Sequence, residues 1–155
     1  MVINQRVEQG IYVVLILSLE KEHRPLRSTE LSEILSVSDS YLKKILRKLV
    51  LAGIISSNPG KDGGFRSAKS IEKVSIYDIY CALEGKECEI KASGIGDRIF
   101  VSGKEVSKGV KKVTSIFEKA NKAFLNELKK MNLSELVSKK YYSKGAVDFR
   151  SNIGK

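Results

Sequence analysis

Two amphipathic segments, separated by a break of three residues, stand out when the apolar positions are followed along the chain. The first places Leu31, Ile34 and Leu35 at helical spacing, and residues 36–38 interrupt it. The second begins at Asp39 and carries its apolar side chains on one face, at Leu42, Ile45, Leu46 and Leu49. Two helices joined by so short a turn predict a helix-turn-helix over residues 28–51, with N-caps at Ser28 or Thr29 and at Ser38.

A hairpin is predicted directly after the second helix. Residues 54–57 form a short apolar-to-polar strand, and a loop containing Pro59 and three glycines leads into Phe65 and Arg66. Proline and glycines between two short segments are typical of a hairpin loop. Helix pair and hairpin together predict a winged helix-turn-helix domain over residues 1–84, with its wing at 54–68.

Helical patterns flank this domain on both sides. Residues 5–19 predict a buried helix behind the helix pair, and residues 75–78 resemble a capping box that opens a short helix stopped by Gly85. From Lys104 an apolar seam predicts a helix roughly 40 Å long. Its seam residues recur every three or four positions: Val106, Val110, Val113, Phe117, Ala120, Phe124, Leu128 and Met131.

The remaining segments are less regular. Residues 85–103 lose all periodicity and predict a loop, whereas Asn132 to Glu135 form a second capping box within residues 104–138. The basic tail, 139–155, is expected to be flexible or to lie on the surface. The predicted fold class is mainly α with a small β-hairpin wing (α+β): a winged helix-turn-helix domain plus a long C-terminal helix.

Charge adds a partner class to this fold. The 155 residues carry a formal net charge of +10, and residues 38–75 hold eight Lys or Arg against three Asp or Glu. A basic excess on a helix-turn-helix favours a nucleic-acid partner. The apolar run 11–19 is too short to span a bilayer, and no cleavable leader opens the chain. A cytoplasmic location without a membrane partner is therefore expected.

Residues 41–46 and 49–55, followed by Gly60 and by 63–65, resemble a family of bacterial winged-helix regulators. This family, Rrf2, includes the iron-sulfur regulator IscR, the nitric-oxide sensor NsrR and the cysteine-metabolism repressor CymR. A weaker resemblance continues through residues 124–137. The resemblance implies a dimeric, sequence-specific repressor that binds a palindromic operator in double-stranded DNA, with residues 85–103 as the sensing segment.

The apolar seam has two interpretations. It packs either against its own domain or against the same helix of a second chain, and the family favours a homodimer through Val106, Val110, Val113, Phe117, Ala120, Phe124 and Leu128. A signal that shifts this helix would then change the distance between the two helix-turn-helix units of the dimer, which should lie about 34 Å apart on DNA.

The second helix of the pair should enter the major groove. We expect Lys43 to contact guanine and Ser40, Tyr41 and Lys44 to position the DNA backbone; the alternative is that these lysines are merely solvated. Relatives often carry Arg-Gly-Pro at the wing tip, where this chain has residues 58–60, so Lys61 or Arg66 would substitute for the arginine. The full set of candidate DNA-binding residues is Ser28, Thr29, Ser38, Ser40, Tyr41, Lys43, Lys44, Arg47, Lys48, Lys61 and Arg66.

The cysteines do not favour a cofactor. Cluster-binding relatives use three closely spaced cysteines, but here Cys88 stands alone in that loop and Cys81 falls on a helix. Two cysteines and a distant His23, expected at the surface, do not supply the four ligands of a cluster. Neither a cluster nor another metal is expected, and Cys88 is a candidate redox thiol. Otherwise the effector is a small molecule or a partner protein.

Two other function classes compete with a DNA-binding regulator. A protein-interaction module that has lost operator binding would explain the altered wing tip. An enzyme is disfavoured because the chain has one histidine, no Ser-His-Asp or Cys-His arrangement with a second histidine, and no Walker loop around Gly60 and Lys61. A non-enzymatic transcriptional regulator is the function that the sequence favours.

Overall fold

The computed structural model describes residues 4–60, 63–85, 93–99 and 103–153. They belong to two compact units, Met1–Gly85 with Leu128–Lys155, and Lys86–Glu127. Strands β1 (Ile55–Asn58) and β2 (Gly64–Ser67) form an antiparallel pair. The α-helices are α1 Gln5–Leu19, α2 Ser28–Ile34, α3 Asp39–Leu51, α4 Ile76–Glu84, α5 Ile95–Ile99, α6 Gly103–Leu128 and α7 Lys139–Tyr142.

The core of the larger unit forms around α1, which packs against α3, α4 and β2. Val13, Val14 and Leu17 of α1 are fully or almost fully buried. A helix so apolar needs cover on most of its circumference, and the three neighbours supply it. The predicted helix over residues 5–19 is confirmed, and it packs against α3, the second helix of the pair.

The helix starts follow local side-chain chemistry. Ser75 accepts a hydrogen bond from the Asp78 amide at 3.2 Å, and the Asp78 carboxylate accepts one from the Ser75 amide at 2.8 Å, so the predicted capping box is confirmed. The predicted N-caps of α2, Ser28 or Thr29, were wrong by one or two positions. Arg27 occupies the cap because its amide donates to the Glu30 carboxylate at 2.7 Å, which places Ser28 inside the helix.

The wing is attached to the chain that precedes α2. Phe65 donates its amide to the Leu26 carbonyl at 2.8 Å, and Leu26 donates back to Phe65 at 3.0 Å. This bridge brings the backbones so close that a Cβ on Gly64 would lie 2.7 Å from the Leu26 carbonyl oxygen. The glycine that precedes Phe65 is therefore required by a backbone contact.

The C-terminal segment lies on the surface, one of its two predicted alternatives, but specific contacts hold it there. Val147 forms a parallel bridge with Glu20, and its carbonyl accepts the Lys21 amide at 2.8 Å. Gly145 accepts the Glu22 amide at 3.1 Å. Residues 139–153 are thus hydrogen-bonded to the residues that follow α1 and do not form a free tail.

The smaller unit contains α5 and α6. The helix α5 falls within residues 85–103, which were predicted to be a loop, so that prediction was wrong at 95–99; residues 86–92 and 100–102 lie outside the described part. The long helix predicted from Lys104 is confirmed, and none of its residues is classed as buried. In the part of the chain that the structure describes, no helix has the length and apolarity needed to cross a membrane.

Candidate nucleic-acid interface

Helix α3 has one buried and one cationic face. The four apolar residues that define its predicted stripe are all buried: Leu42, Ile45, Leu46 and Leu49. The opposite face is exposed and presents Ser40, Lys43, Lys44, Arg47 and Lys48. Helix α2 packs beside it through the fully buried Leu31. The helix pair therefore presents a basic helix surface of the kind that enters a major groove.

The first turn of α3 is fixed by Asp39. The Lys43 ammonium lies 2.7 Å from Asp39 Oδ2, and the Lys43 side chain remains 60% exposed. Hydrogen bonds from Lys43 and from the Ser28 hydroxyl lower the pKa of the Asp39 carboxyl below its usual value. This carboxylate holds the Lys43 ammonium near the N-terminal end of α3.

The other cations on α3 differ in how they are held. Among the described residues, Lys44 and Arg47 have no hydrogen-bond or ion-pair partner and point their charges into solvent. Lys48 instead donates to the Leu83 carbonyl near the end of α4. Lys48 therefore ties α3 to α4, whereas Lys44 and Arg47 are available to phosphate.

The remaining predicted positions fall on several surfaces. Ser38 and Thr29 are exposed at the starts of α3 and α2, while Tyr41 is half-buried against the hydrophobic core. Arg66 of β2 is exposed and forms no ion pair among the described residues. Lys61 lies outside the described residues. The structure thus places Arg66 on the wing, in a different element from the α3 cations.

A contact that the sequence did not reveal fixes the start of α2. Arg150 donates from Nε to Glu30 Oε1 at 2.7 Å and from Nη2 to the Pro25 carbonyl at 2.8 Å. Burial opposes ionisation of Glu30, but hydrogen bonds from Arg150 and the Arg27 amide outweigh it and lower the pKa of this carboxyl. The two partners are 120 residues apart, so no local pattern could have indicated their contact.

Comparison with known proteins places these features in a family. The Rrf2 family model, described as iron-dependent transcriptional regulator, matches residues 3–139. YffB of Lactococcus lactis, named as an HTH-type transcriptional regulator, is 34% identical over 137 residues, which are 88% of this chain and 86% of YffB. YwgB of Bacillus subtilis, similarly named, is 39% identical over 94 residues, 61% of this chain and 60% of its own.

Solved structures show the same fold at low sequence identity. CymR of B. subtilis, the global cysteine regulator, has a TM-score of 0.62 and 18% identity, with 89% of this chain and 97% of CymR covered. IscR of T. potens has a TM-score of 0.63 and 18% identity, with 97% and 96% covered. The structural similarity covers both the winged-helix domain and the C-terminal helix.

The iron named in the family description does not fit the donors in the described residues. No three His, Cys, Asp or Glu side chains converge there as a metal site would require. Cys81 is half-buried on α4 and lies one helical turn after Tyr77, and its thiol raises the pKa of the Tyr77 hydroxyl. Cys88 lies outside the described residues. His23 is exposed, as expected of a surface residue.

Proposed function

The chain belongs to the Rrf2 family of DNA-binding transcriptional regulators, and from this premise we propose that it represses transcription as a homodimer on a palindromic operator. The observation that carries the proposal is the cationic face of α3, exposed opposite a fully buried apolar face. Family membership supports DNA binding and a non-enzymatic role. Repression, dimerisation and the residues involved are the proposed part.

Each element would have its own role on DNA. Lys43, near the start of α3, would release Asp39 and donate its ammonium hydrogen bonds to the edge of a guanine base. Lys44 and Arg47 would contact phosphates. Ser28, Thr29, Ser38, Ser40 and Tyr41 would position the backbone around the same groove. On the wing, Arg66 is the cation whose position the structure describes, and Lys61 remains a second candidate. Lys48 is left out of the revised set because the Leu83 carbonyl occupies its ammonium.

The exposed seam of α6 supports a homodimer. Val113 and Phe117 are 52% and 53% exposed, and Val110 is 38% exposed on the same face. Apolar side chains repeated along an exposed helix face are typical of an interface, since water contact with them is unfavourable. The proposed interface comprises Val106, Val110, Val113, Phe117, Ala120, Phe124 and Leu128. Pairing of identical helices would give the two-fold symmetry that a palindromic operator requires.

The signal is proposed to be a small molecule, a thiol state or a partner protein rather than an iron-sulfur cluster. The two cysteines of the chain and the absence of a converging donor set among the described residues support this choice. Residues 85–103 remain the proposed sensing segment, with Cys88 as its candidate thiol. The segment leads directly into α6, so a change there could be passed to the proposed dimer helix.

A titration of the reduced, purified protein tests the DNA-binding proposal. Its own upstream region and a scrambled duplex are compared at two salt concentrations. A specific complex should be at least ~10³-fold tighter and should weaken steeply as salt rises. Equal, weak binding to both duplexes would contradict the proposal and favour the second candidate, a protein-interaction module that keeps the fold. The wing-tip residues 58–60, which lack the arginine of relatives, are the feature that favours this second candidate.

Two single variants assign the contacts. Lys44→Ala and Arg47→Ala should each weaken binding to both duplexes and reduce the slope of log affinity against log salt by about 1. Lys119→Ala removes the same charge from α6, a helix that is not part of the proposed DNA contact, and should leave the slope unchanged. Equal losses in all three variants would mean that net charge, rather than the α3 face, determines binding.

A further inference from the structure

An open cleft of about 620 Å³ lies at the base of the wing, within the larger unit. Arg66 and Lys69 come from β2 and the turn after it, His23 from the turn after α1, and Lys139 and Tyr142 from α7. Its volume is within the range of roughly 300–1,000 Å³ that is usual for small-molecule sites. Three segments far apart in sequence thus form one concave surface that carries several charged side chains.

The cleft contains two cations without a paired carboxylate in the part of the chain that the structure describes. Arg66 and Lys69 are exposed and form no ion pair among the described residues. Glu72, which lines the cleft, already accepts a hydrogen bond from the Tyr142 hydroxyl at 3.0 Å and lies 3.4 Å from the Lys139 ammonium. Glu22 is the other carboxylate that lines the cleft, and it is exposed. The guanidinium group of Arg66 and the ammonium group of Lys69 therefore remain to attract an anion.

One wall of the cleft is held in a strained backbone conformation. Glu22 and His23 are consecutive non-glycine residues with φ of 56° and 50°. The C-terminal segment keeps them there, since Gly145 accepts the Glu22 amide, and a Cβ on Gly145 would lie 2.0 Å from the Glu20 carbonyl oxygen. Left-handed backbone at non-glycine residues is costly and is concentrated at functional sites.

From this geometry we infer that the cleft binds a small organic anion carrying a carboxylate or a phosphate, and that this anion acts as an effector at a site separate from residues 85–103. Arg66 lines the cleft and is also the described wing cation proposed to reach DNA. An anion bound beside Lys69 therefore competes with the operator for Arg66. The regulatory half of this inference rests on the proposed function, whereas the binding site itself does not.

The site is tested on the protein alone, without DNA. Uniformly ¹⁵N-labelled protein is titrated with citrate and, separately, with inorganic phosphate, and the amide shifts are followed. Saturable shifts confined to residues 18–23, 66–72 and 139–143 are expected with at least one probe, and the probe that binds tells carboxylate from phosphate. Lys69→Ala should weaken that binding by about tenfold, as expected for one charge-assisted hydrogen bond.

Lys73→Ala is the matched control, because Lys73 is an exposed lysine of the same segment that does not line the cleft. Its affinity for the probe should equal that of the unmodified protein. Shifts that do not saturate, that spread equally over the lysines of α6, or that respond alike to both substitutions would overturn the site.

The regulatory half is tested by operator titration with and without the probe, at constant ionic strength. The anion should weaken specific binding at least fivefold, and the effect should be lost in Lys69→Ala but kept in Lys73→Ala. Unchanged affinity, or an equal effect in both variants, overturns regulation while leaving the site established by the amide shifts. No specific operator binding under any condition overturns the proposed function and the regulatory half together.

Discussion

At residue 64 the wing has no room for a side chain. Gly64 has φ of +148°, and its Cβ would approach the carbonyl oxygen of Leu26, which is fully buried. Gly64→Ala must therefore break the paired hydrogen bonds between Leu26 and Phe65 or displace the wing. We expect the free energy of unfolding to fall by about 1–3 kcal/mol, measured by urea denaturation.

Gly109→Ala supplies the comparison of opposite sign. Gly109 lies within α6, and a Cβ there would meet nothing within 4 Å. Alanine should stabilise this helix by about 0.5–1 kcal/mol, because glycine loses more backbone entropy on folding. Equal unfolding midpoints for the two variants would contradict the steric argument at Gly64.

Adjacent cations on α3 should separate stability from DNA binding. Lys48→Ala loses the hydrogen bond to the Leu83 carbonyl, so the free energy of unfolding should fall by about 1 kcal/mol while the salt slope of operator binding stays unchanged. Arg47→Ala should do the opposite, with stability within about 0.5 kcal/mol of the parent and a smaller slope. A slope change in Lys48→Ala as large as in Arg47→Ala would return Lys48 to the DNA interface.

Elements with strong local signals were predictable from the sequence. The 3.6-residue spacing of Leu42, Ile45, Leu46 and Leu49 gave the buried face of α3, and Ser75 with Asp78 gave the start of α4. The start of α2 was misplaced because Glu30 accepts the Arg27 amide, which moves the cap one residue earlier. At α5 the helix is only five residues long, too short to show a periodicity.

The ordered conformation of the C-terminal segment could not be predicted from the sequence, because the contacts that hold this segment are non-local. Val147 bridges to Glu20, and Phe149 donates its amide to the buried Glu20 carboxylate at 3.1 Å. Arg24 binds the same carboxylate and also donates to Asp148 at 3.1 Å. A short basic and aromatic sequence has no periodicity that would indicate such a network.

The contact between this segment and α2 predicts a loss of stability in acid. The pKa of Glu30 is lower in the folded chain than in an unfolded one, so its ion pair with Arg150 stabilises the fold above about pH 4.3, the usual value for Glu, and is lost as pH falls through the folded pKa. Glu30→Gln should be less stable by about 1 kcal/mol at pH 7. The difference in stability between Glu30→Gln and the parent protein should narrow between about pH 5 and pH 3. Thermal unfolding measured across this pH range checks the prediction.

Glu33→Gln is the control for that pH series. Glu33 is an exposed carboxylate of the same helix, with no side-chain partner among the described residues. Its substitution should leave the pH dependence of the parent protein intact. A constant difference between Glu30→Gln and the parent across the whole range would mean that the Glu30 charge does not contribute.

At the scale of the whole molecule, the proposed DNA-binding residues lie within one continuous stretch of sequence, whereas the residues that line the cleft do not. The candidate residues on α3 are close in sequence, and Arg66 follows within the wing, so motif and charge could indicate them together. The cleft combines His23, Lys69 and Tyr142, which only the docking of the C-terminal segment brings together. A regulatory site of this kind has no sequence signature because each of its segments is ordinary in isolation.

The proposed dimer makes the widest prediction. Introducing Val113→Glu together with Phe117→Glu places two carboxylates in the exposed seam of α6, where a second copy would have to bury them without a partner. The double variant should sediment as a monomer and bind the operator about 100-fold more weakly, because the two half-sites are no longer engaged together. Lys119→Glu makes the same net change of two charges on the opposite side of the helix and should remain dimeric. If the double variant sediments as a dimer with full operator affinity, the chains associate through another surface, and the seam of α6 is not their interface.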